Sequence, residues 1–380
     1  MPLKYNCIIC NQKLSYEGLC WKCKAIKARE DGLNLTDKDI EERQSYLVEH
    51  VQELGEQKET AYNYFWECLA YHGVISEDLQ RAAVEQGIYY PCEIYYHAPK
   101  EIRDILIERL LEAEDAWEAS RLQTCLAMQG DERALEVFYE LKKAPKEWRK
   151  ELYVDPDVYA YAGGWSFDEA GKRLPINYSK CYSMEKKNTG DRSVMIGKTR
   201  KDKCPHCNTR LVDLLSIDGN DERLKFLGVD GRITAVCCVN CVLYAGLAAF
   251  SRFRPDGEAE GVFPYDGAEE MIQWLKKQNC DWTSDVSETD LEELSENGLE
   301  LSGEERPLFY GASDWDVVTL GGFANWINDC TITKCPDCGK PMRYLAQLPW
   351  ETIMSNAPEG TLYVEMCPDC KVISMHHQQT

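Results

Sequence analysis

Cys335-Pro-Asp-Cys338-Gly-Lys-Pro-Met-Arg-Tyr-Leu-Ala-Gln-Leu348, followed by Gly360-Thr-Leu-Tyr-Val-Glu-Met-Cys367-Pro-Asp-Cys370, holds two Cys-x2-Cys steps with twenty-eight residues between them. A two-residue step lets both thiolates of a tight knuckle face one ion, and a second knuckle completes a tetrahedron. Thr361-Leu-Tyr-Val-Glu-Met366 alternates as a half-buried strand does. The unit reads as knuckle, strand, excursion, strand, knuckle.

An earlier stretch repeats this unit. Cys204-Pro-His-Cys207 aligns with Cys335-Pro-Asp-Cys338, and Leu211, Leu214 and Ile217 fall at the positions of Met342, Leu345 and Leu348. Gly231-Arg-Ile-Thr-Ala-Val236 aligns with Gly360-Thr-Leu-Tyr-Val-Glu365. In this register Cys238 and Cys241 are the second knuckle, and Cys237 falls opposite Met366. A third pair of knuckles, Cys7/Cys10 and Cys20/Cys23, lies near the N-terminus with nine residues between them.

Twelve of the nineteen cysteines are therefore ligand candidates: Cys7, Cys10, Cys20, Cys23, Cys204, Cys207, Cys238, Cys241, Cys335, Cys338, Cys367 and Cys370. Three structural zinc sites of four cysteines each are expected, because four thiolates leave no coordination position open for catalysis. Disulfides and iron–sulfur ligation are the competing readings. Disulfides need an oxidising compartment, and three separate knuckle pairs favour zinc over iron. His206, inside a knuckle, is an unneeded substitute ligand; His376 and His377 read as an exposed tail. Cys68, Cys92 and Cys125 read as small buried hydrophobes.

Residues 34–150 carry a different pattern. Thr36 is placed to cap a helix beginning at Asp37, and Ile40, Leu47, Val51 and Leu54 recur at helical spacing. Residues 101–113, 115–128 and 132–141 repeat the signal, the last two around Gln129-Gly130-Asp131. Short amphipathic helices in series predict a small solenoid of HEAT-like character, against an irregular helical bundle. The expected architecture is α+β: a zinc ribbon over 1–30, an α-helical HEAT-like domain over 34–152, and a C-terminal β-rich domain of two duplicated zinc-knuckle halves over 155–380. The halves are placed at about 155–250 and 307–380, with an acidic insertion at 251–306.

The 380 residues exceed one ordinary domain of about 150. Lys+Arg 43 against Asp+Glu 65 gives a net charge of −22, which repels phosphate backbones and disfavours nucleic acid as a bulk partner. The charge is uneven. Residues 1–30 have 6 bases and 2 acids (+4), 31–150 have 14 and 26 (−12), and 251–306 have 5 and 16 (−11). Within 281–305 lie ten acids and no Lys or Arg. Asp281, Asp285, Glu288, Asp290, Glu292, Glu293 and Glu296 are the candidate partner-binding residues of this block. A solvated helix is the plain reading; a surface for a basic protein partner is the functional one. The longest apolar run, Val242–Phe250, is nine residues, where a membrane span needs about 20. Cys7 and Cys10 interrupt any signal peptide, so a cytoplasmic location is expected.

Catalytic motifs yield only decoys. Gly190-Asp-Arg-Ser-Val-Met-Ile-Gly197-Lys198-Thr199 ends like a phosphate loop, but that loop's first glycine would fall at Arg192. No H-E-x-x-H, G-x-S-x-G or Rossmann fingerprint occurs, and the chain is read as a non-enzyme.

Cys335–Leu348, Glu359–Val364 and Cys367-Pro-Asp-Cys370, with Leu320-Gly-Gly-Phe-Ala-Asn-Trp-Ile327 upstream, resemble the YwqG / programmed-cell-death-2 superfamily. Asn328 stands where that family often has Gln. The likeness is specific over 316–370 and weaker over 204–241. The stretch from Gly130 to Trp165 resembles the segment that precedes this domain in bacterial members. The resemblance implies protein binding without catalysis. Eukaryotic members are chaperones of a small-subunit ribosomal protein, and some bacterial members are immunity proteins of polymorphic toxin systems. The helical extension points to the immunity branch, with a cognate toxin as the basic partner. A chaperone of a basic client, or a nucleic-acid-binding regulator acting through the basic ribbon (Lys4, Lys13, Lys22, Lys24, Lys27, Arg29), are the alternatives.

Overall fold

In the computed structural model, which describes residues 4–152, 154–244, 248–262, 268–278 and 285–380, the chain passes from a small hairpin through a helical middle into a β-rich region. The hairpin strands β1 (Tyr5–Asn6) and β2 (Lys13–Leu14) lead into helix α1 (Trp21–Leu33). Then come α2 (Asp37–Glu49), α3 (Val51–Gly55), α4 (Glu59–His72), α5 (Glu77–Gln86), α6 (Lys100–Glu112), α7 (Ala116–Gln129), α8 (Glu132–Lys143) and the single turn α9 (Pro156–Tyr159).

Local chemistry sets these boundaries. Thr36 and Asp39 form a reciprocal capping box at the start of α2, and Ser76, Asp115 and Asp131 each accept a first-turn amide of α5, α7 and α8. Each such cap contributes about 1 kcal/mol. Gly130, at φ 65°, ends α7 in the left-handed conformation that glycine adopts without strain. Leu47, Leu54, Phe65, Leu79, Leu106, Leu122 and Phe138 are fully or nearly fully buried, at about 1.5–3 kcal/mol each. Their core does not stop at the helices. Trp165 donates its Nε1–H to the Ala127 carbonyl at 2.8 Å, and Phe309 and Phe323 stack at 4.2 Å in the same apolar cluster. The helical core thus extends onto Trp165, Phe167, Phe309 and Phe323 of the β-rich region, while the two sheets enclose an interior of their own.

The β-rich region begins with the pair β3 (Trp165–Phe167) and β4 (Arg173–Pro175). It continues with β5 (Cys181–Lys186), β6 (Val194–Lys203), β7 (Arg210–Asp218), β8 (Arg232–Cys237), α10 (Val239–Tyr244), β9 (Ala249–Phe253), β10 (Ala259–Val262), α11 (Ala268–Lys277) and α12 (Glu288–Ser295). It ends with β11 (Leu299–Leu301), β12 (Val318–Gly321), β13 (Arg343–Pro349), α13 (Trp350–Ile353), β14 (Thr361–Cys367) and β15 (Val372–Gln378). One sheet has the order β6-β7-β8; the other, of eight strands, has the order β10-β9-β15-β14-β13-β12-β5-β11.

The two sheets repeat each other residue for residue where the sequence units align. In β7–β8, Asp213 faces Val236 and Leu215 faces Ala235, skipping Leu214. In β13–β14, Tyr344 faces Glu365 and Ala346 faces Val364, skipping Leu345. A bulge places one extra residue against a partner strand and re-aims it; both units carry theirs at the aligned position. The strand on the other side repeats too: Met195 faces Ser216 and Ile196 faces Leu215, as Thr319 faces Gln347 and Leu320 faces Ala346.

The halves are interleaved rather than consecutive. β5, which precedes the first unit, pairs with β12 of the second, and β11 from the acidic stretch pairs with β5. The strand after each second knuckle makes the join: β9 pairs antiparallel with β15, Phe250 facing Ser374. Pairing range in a sheet is set by the tertiary fold and leaves no local trace, which is why linear boundaries at 250 and 307 do not capture it.

Candidate metal centres and partner surface

The backbone builds all three first knuckles the same way. The amide of the fourth residue after the first cysteine returns to that cysteine's carbonyl: Asn11 to Cys7, Asn208 to Cys204 and Gly339 to Cys335, each at 2.9 Å. These residues have φ of 63°, 64° and 70°. Asn and Gly are the residues that tolerate this left-handed turn. The second knuckles differ. Cys20 caps α1 by accepting the Cys23 amide at 3.4 Å, and Cys238 and Cys241 lie at the start of α10, so two knuckles hold thiols at a helix N-terminus where anions are stabilised. Cys370 closes instead with Lys371 at φ 56° before β15.

Three groups of four result: Cys7, Cys10, Cys20 and Cys23; Cys204, Cys207, Cys238 and Cys241; Cys335, Cys338, Cys367 and Cys370, with all Sγ atoms in a group within 4.8 Å of one another. The Sγ–Sγ distances include 3.5 Å for Cys10–Cys20 and Cys204–Cys241, 3.3 Å for Cys207–Cys238 and 3.8 Å for Cys338–Cys367. A tetrahedron with metal–sulfur bonds near 2.3 Å has edges of about 3.8 Å, whereas a disulfide requires about 2.05 Å. None of the described cysteines is in a disulfide. The donor sets fit metal ions. Burial raises the Cys7 thiol, but the amides of Cys10, Cys20 and Ile9 outweigh burial and hold it at about 6.

The other cysteines behave differently. Cys237 is fully buried and outside the second centre, and burial raises its thiol. Cys68, Cys125 and Cys181 are fully buried as well, and burial pushes Cys181 up to about 12. Cys92 and Cys330 are partly covered, and Cys280 lies outside the described residues. His206 donates its backbone amide to Cys204 Sγ at 3.4 Å and is not among the four ligands.

One expectation needs correction. His376 and His377 are not an exposed tail: both lie in β15, paired with the fully buried β14. His376 stacks on Tyr363 and Trp326 and stands 3.8 Å from the buried carboxylate of Glu365; His377 Nδ1 accepts from Trp350 Nε1 at 3.1 Å. The segment resembling a phosphate loop holds an internal anion. The amides of Thr189 and Gly190 donate to the Glu300 carboxylate at 3.1 and 2.9 Å, and Lys198 and Thr199 run on into β6.

The acidic block divides in the same way. Asp290 is buried and forms a capping box with Ser287 at the start of α12, and it also accepts from Asn356 at 3.0 Å. Its carboxylate faces inward and offers nothing to a partner. Glu288 pairs with Arg210 at 2.7 Å, and Glu293 accepts the Ser355 amide at 2.9 Å. Asp285, Glu292 and Glu296 are exposed. Asp281 lies outside the described residues. Glu292, Glu293 and Glu296 line one cleft with Glu351 and Lys186. Glu351, together with the exposed Trp21 and Trp315, was not singled out by sequence; side-chain exposure has no sequence signature at an isolated tryptophan.

At the other end of the chain, α1 is fastened to the β-rich region. Arg29 reaches Asp314 at 2.8 Å and also pairs with Asp316, and Lys22 pairs with Glu351 at 3.3 Å. Tyr5, Ile8, Ile9 and Tyr16 of the ribbon remain exposed.

Comparison with known proteins adds one relative. A Salmonella typhimurium (strain LT2) protein described as "Uncharacterized protein YpfL" is 27% identical over 292 residues, covering 75% of this chain. The chain spans 64% of that protein's length. No family model matches, and no solved structure matches. Among the described residues, no helix is long and apolar enough to cross a membrane.

Proposed function

We propose that this chain is a non-enzymatic protein-binding protein, held together by three structural zinc ions, that works in the cytoplasm as an immunity protein. In this reading it binds a basic toxin domain of a polymorphic system (Rhs, contact-dependent or type VI-delivered) and occludes the toxin's active site. Zinc is preferred because four closely set thiolates suit a closed tetrahedral site. Twelve cysteines held in closed sets leave the metals a folding role.

The observation that carries the binding role is the placement of charge. The net −22 includes −12 on the helical stretch and −11 on the segment joining the two units, and exposed carboxylates of that segment line a cleft. Complementary charge accelerates association with a basic protein and excludes acidic ones. Residues 316–370 resemble the YwqG / programmed-cell-death-2 superfamily, and the likeness of Gly130–Trp165 to the segment that precedes this domain in bacterial members supports the immunity branch. Co-expression with the toxin encoded beside this chain's gene tests it: restored growth and a stable complex are expected, and neither appearing would refute it.

The ribbon favours a second contact. Ile8 and Ile9 stand exposed at the first knuckle, and Lys4, Lys13 and Lys24 of the same ribbon are exposed as well. A nucleic-acid-binding regulator would use that face, and its binding in gel shift would weaken steeply with salt. A chaperone of a basic client would instead use the acidic faces, and deletion would then produce a ribosomal-subunit defect.

A further inference from the structure

A groove runs between α1, the turn before β12, α13 and the acidic helix α12. One end is a cavity of about 360 Å³ lined by Trp21, Trp315, Asp316, Glu351 and Glu359. The other, about 540 Å³, is lined by Glu292, Glu293, Glu296, Glu351 and Lys186. Glu351 and Thr352 line both, so the two cavities adjoin across α13.

Its chemistry is unusual in two ways. Trp21 and Trp315 are 54% and 56% exposed in one concavity, although indoles are among the most buried side chains on average. Among the described residues, six carboxylates line the two cavities with Lys186, and Lys22 reaches in from α1 over the Trp21 ring at 5.2 Å. Some of that charge is engaged: Arg29 holds Asp316, and Lys22 pairs with Glu351. The second pair is exposed on both sides, and such pairs contribute about 0–1 kcal/mol. It opens readily to a competing cation.

Exposed indoles beside carboxylates match one side chain above others. A guanidinium stacks on an indole face, takes carboxylates in bidentate fashion and is weakly hydrated, whereas an ammonium is a compact, strongly hydrated charge. We propose that this groove is the docking site for an extended, arginine-bearing segment of a basic protein partner. One guanidinium lies against Trp21 or Trp315, and the following basic residues lie along Glu351, Glu292 and Glu296. This rests on the reading of the chain as a binder of basic proteins and says which surface does it.

The test uses the full, metal-loaded chain with an acetylated octa-arginine peptide as probe at 150 mM salt, and octa-lysine and octa-glutamate for comparison. Indole N–H resonances of Trp21 and Trp315 are expected to move with octa-arginine. Those of Trp117 and Trp274, which are exposed elsewhere at 65% and 55%, stay in place. Trp315→Ala is expected to weaken octa-arginine about tenfold and octa-lysine less. The double variant Glu292→Gln/Glu296→Gln, at exposed positions on α12 and at its C-terminal cap, is expected to weaken both about fivefold. Unchanged affinity in these variants, or equal shifts at Trp117 and Trp274, would overturn the groove while leaving an acidic binder intact. No octa-arginine binding at all would remove the binder reading as well. Concentration-dependent dimerisation abolished by Trp315→Ala would make the occupant a second copy of this chain and overturn the proposal.

Discussion

Replacing each member of the Cys237–Cys238 pair by serine separates a metal ligand from a core filler one residue away. Cys237 is fully buried at the end of β8, opposite Val212, in the interior that the two sheets share. A serine hydroxyl there enters apolar surroundings at a cost of about 1–3 kcal/mol. A fold with about 5–15 kcal/mol of stability survives that loss. Cys238→Ser removes one of four thiolates from the second centre. A structural zinc contributes on the order of 10–16 kcal/mol of apparent binding free energy to the unit it closes. Losing most of that exceeds what the fold holds in reserve, so the β7–β8 hairpin should lose order. Metal content per chain by plasma mass spectrometry, with amide exchange over residues 204–241, is the assay. Three metals are expected in the unsubstituted chain and in Cys237→Ser, and two in Cys238→Ser with fast exchange in β7 and β8. Three metals retained in Cys238→Ser with two in Cys237→Ser would shift the register by one and refute the alignment of the units. Fewer than three in the unsubstituted chain would refute the closed four-thiolate reasoning.

The aligned glycines give a second prediction. Gly231 and Gly360, at φ 82° and 128°, lie where an added Cβ would run into the carbonyls of Pro255 and Gln378. Gly360→Ala is therefore expected to cost about 2 kcal/mol or more, lowering the thermal midpoint, while Gly339→Ala, with open space at its Cβ, costs only its strained φ; equal losses would contradict the packing. Acid stability gives a third. Burial raises Glu185, but the Ser183 hydroxyl, Arg306 and Lys187 outweigh it and bring the carboxyl from 4.5 to about 2. A depressed carboxyl stabilises fully above its ordinary value, and the stabilisation is lost as pH falls through the folded value. Glu185→Gln should thus be the less stable chain at pH 7, with the difference shrinking between about pH 4.5 and 2; parallel pH profiles would rule this out. Fourth, Arg29→Ala leaves Asp314 and Asp316 without their shared cation, and limited proteolysis should cut between the ribbon and α2 several-fold faster, with the other two metal centres intact.

The metal centres were legible because their information is local and repeated. Two-residue spacing defines a knuckle, and two aligned units assign Cys238 over Cys237 without any structure. The turn residues Asn11, Asn208 and Gly339 could also have been read, since each occupies the same offset from its knuckle and each tolerates a left-handed backbone. Ser287-Glu-Thr-Asp290 carried a capping signature inside the acidic run, and reading it would have removed Asp290 from the partner surface. Other features had no local trace. Glu300 is held by Thr189 and Gly190, 111 and 110 residues away. His376 and His377 took their place from strand pairing, and polar sequence at the end of a chain says nothing of a neighbouring strand buried on both faces.

The joining of the halves connects the metal centres to the proposed docking surface. The second centre's last knuckle leads toward β9, the third's leads directly into β15, and these two strands pair with each other. Arg252 of β9 also donates to Asp337, which lies between Cys335 and Cys338, at 2.7 Å. Each centre is closed by its own cysteines, yet each anchors one side of the same seam. β14 lies next to β15, and its first residue, Thr361, lines the tryptophan end of the groove with Gly360. α12, at the acidic end, packs on β6 of the first unit. The groove therefore spans both units, and its width depends on how they are joined. A surface that must hold an indole against a guanidinium needs positions fixed within about 0.5 Å. Under the proposed reading, closed four-thiolate centres at the strand ends would supply that rigidity in a chain whose −22 charge otherwise favours expansion, and structural metals would then take a direct part in recognition.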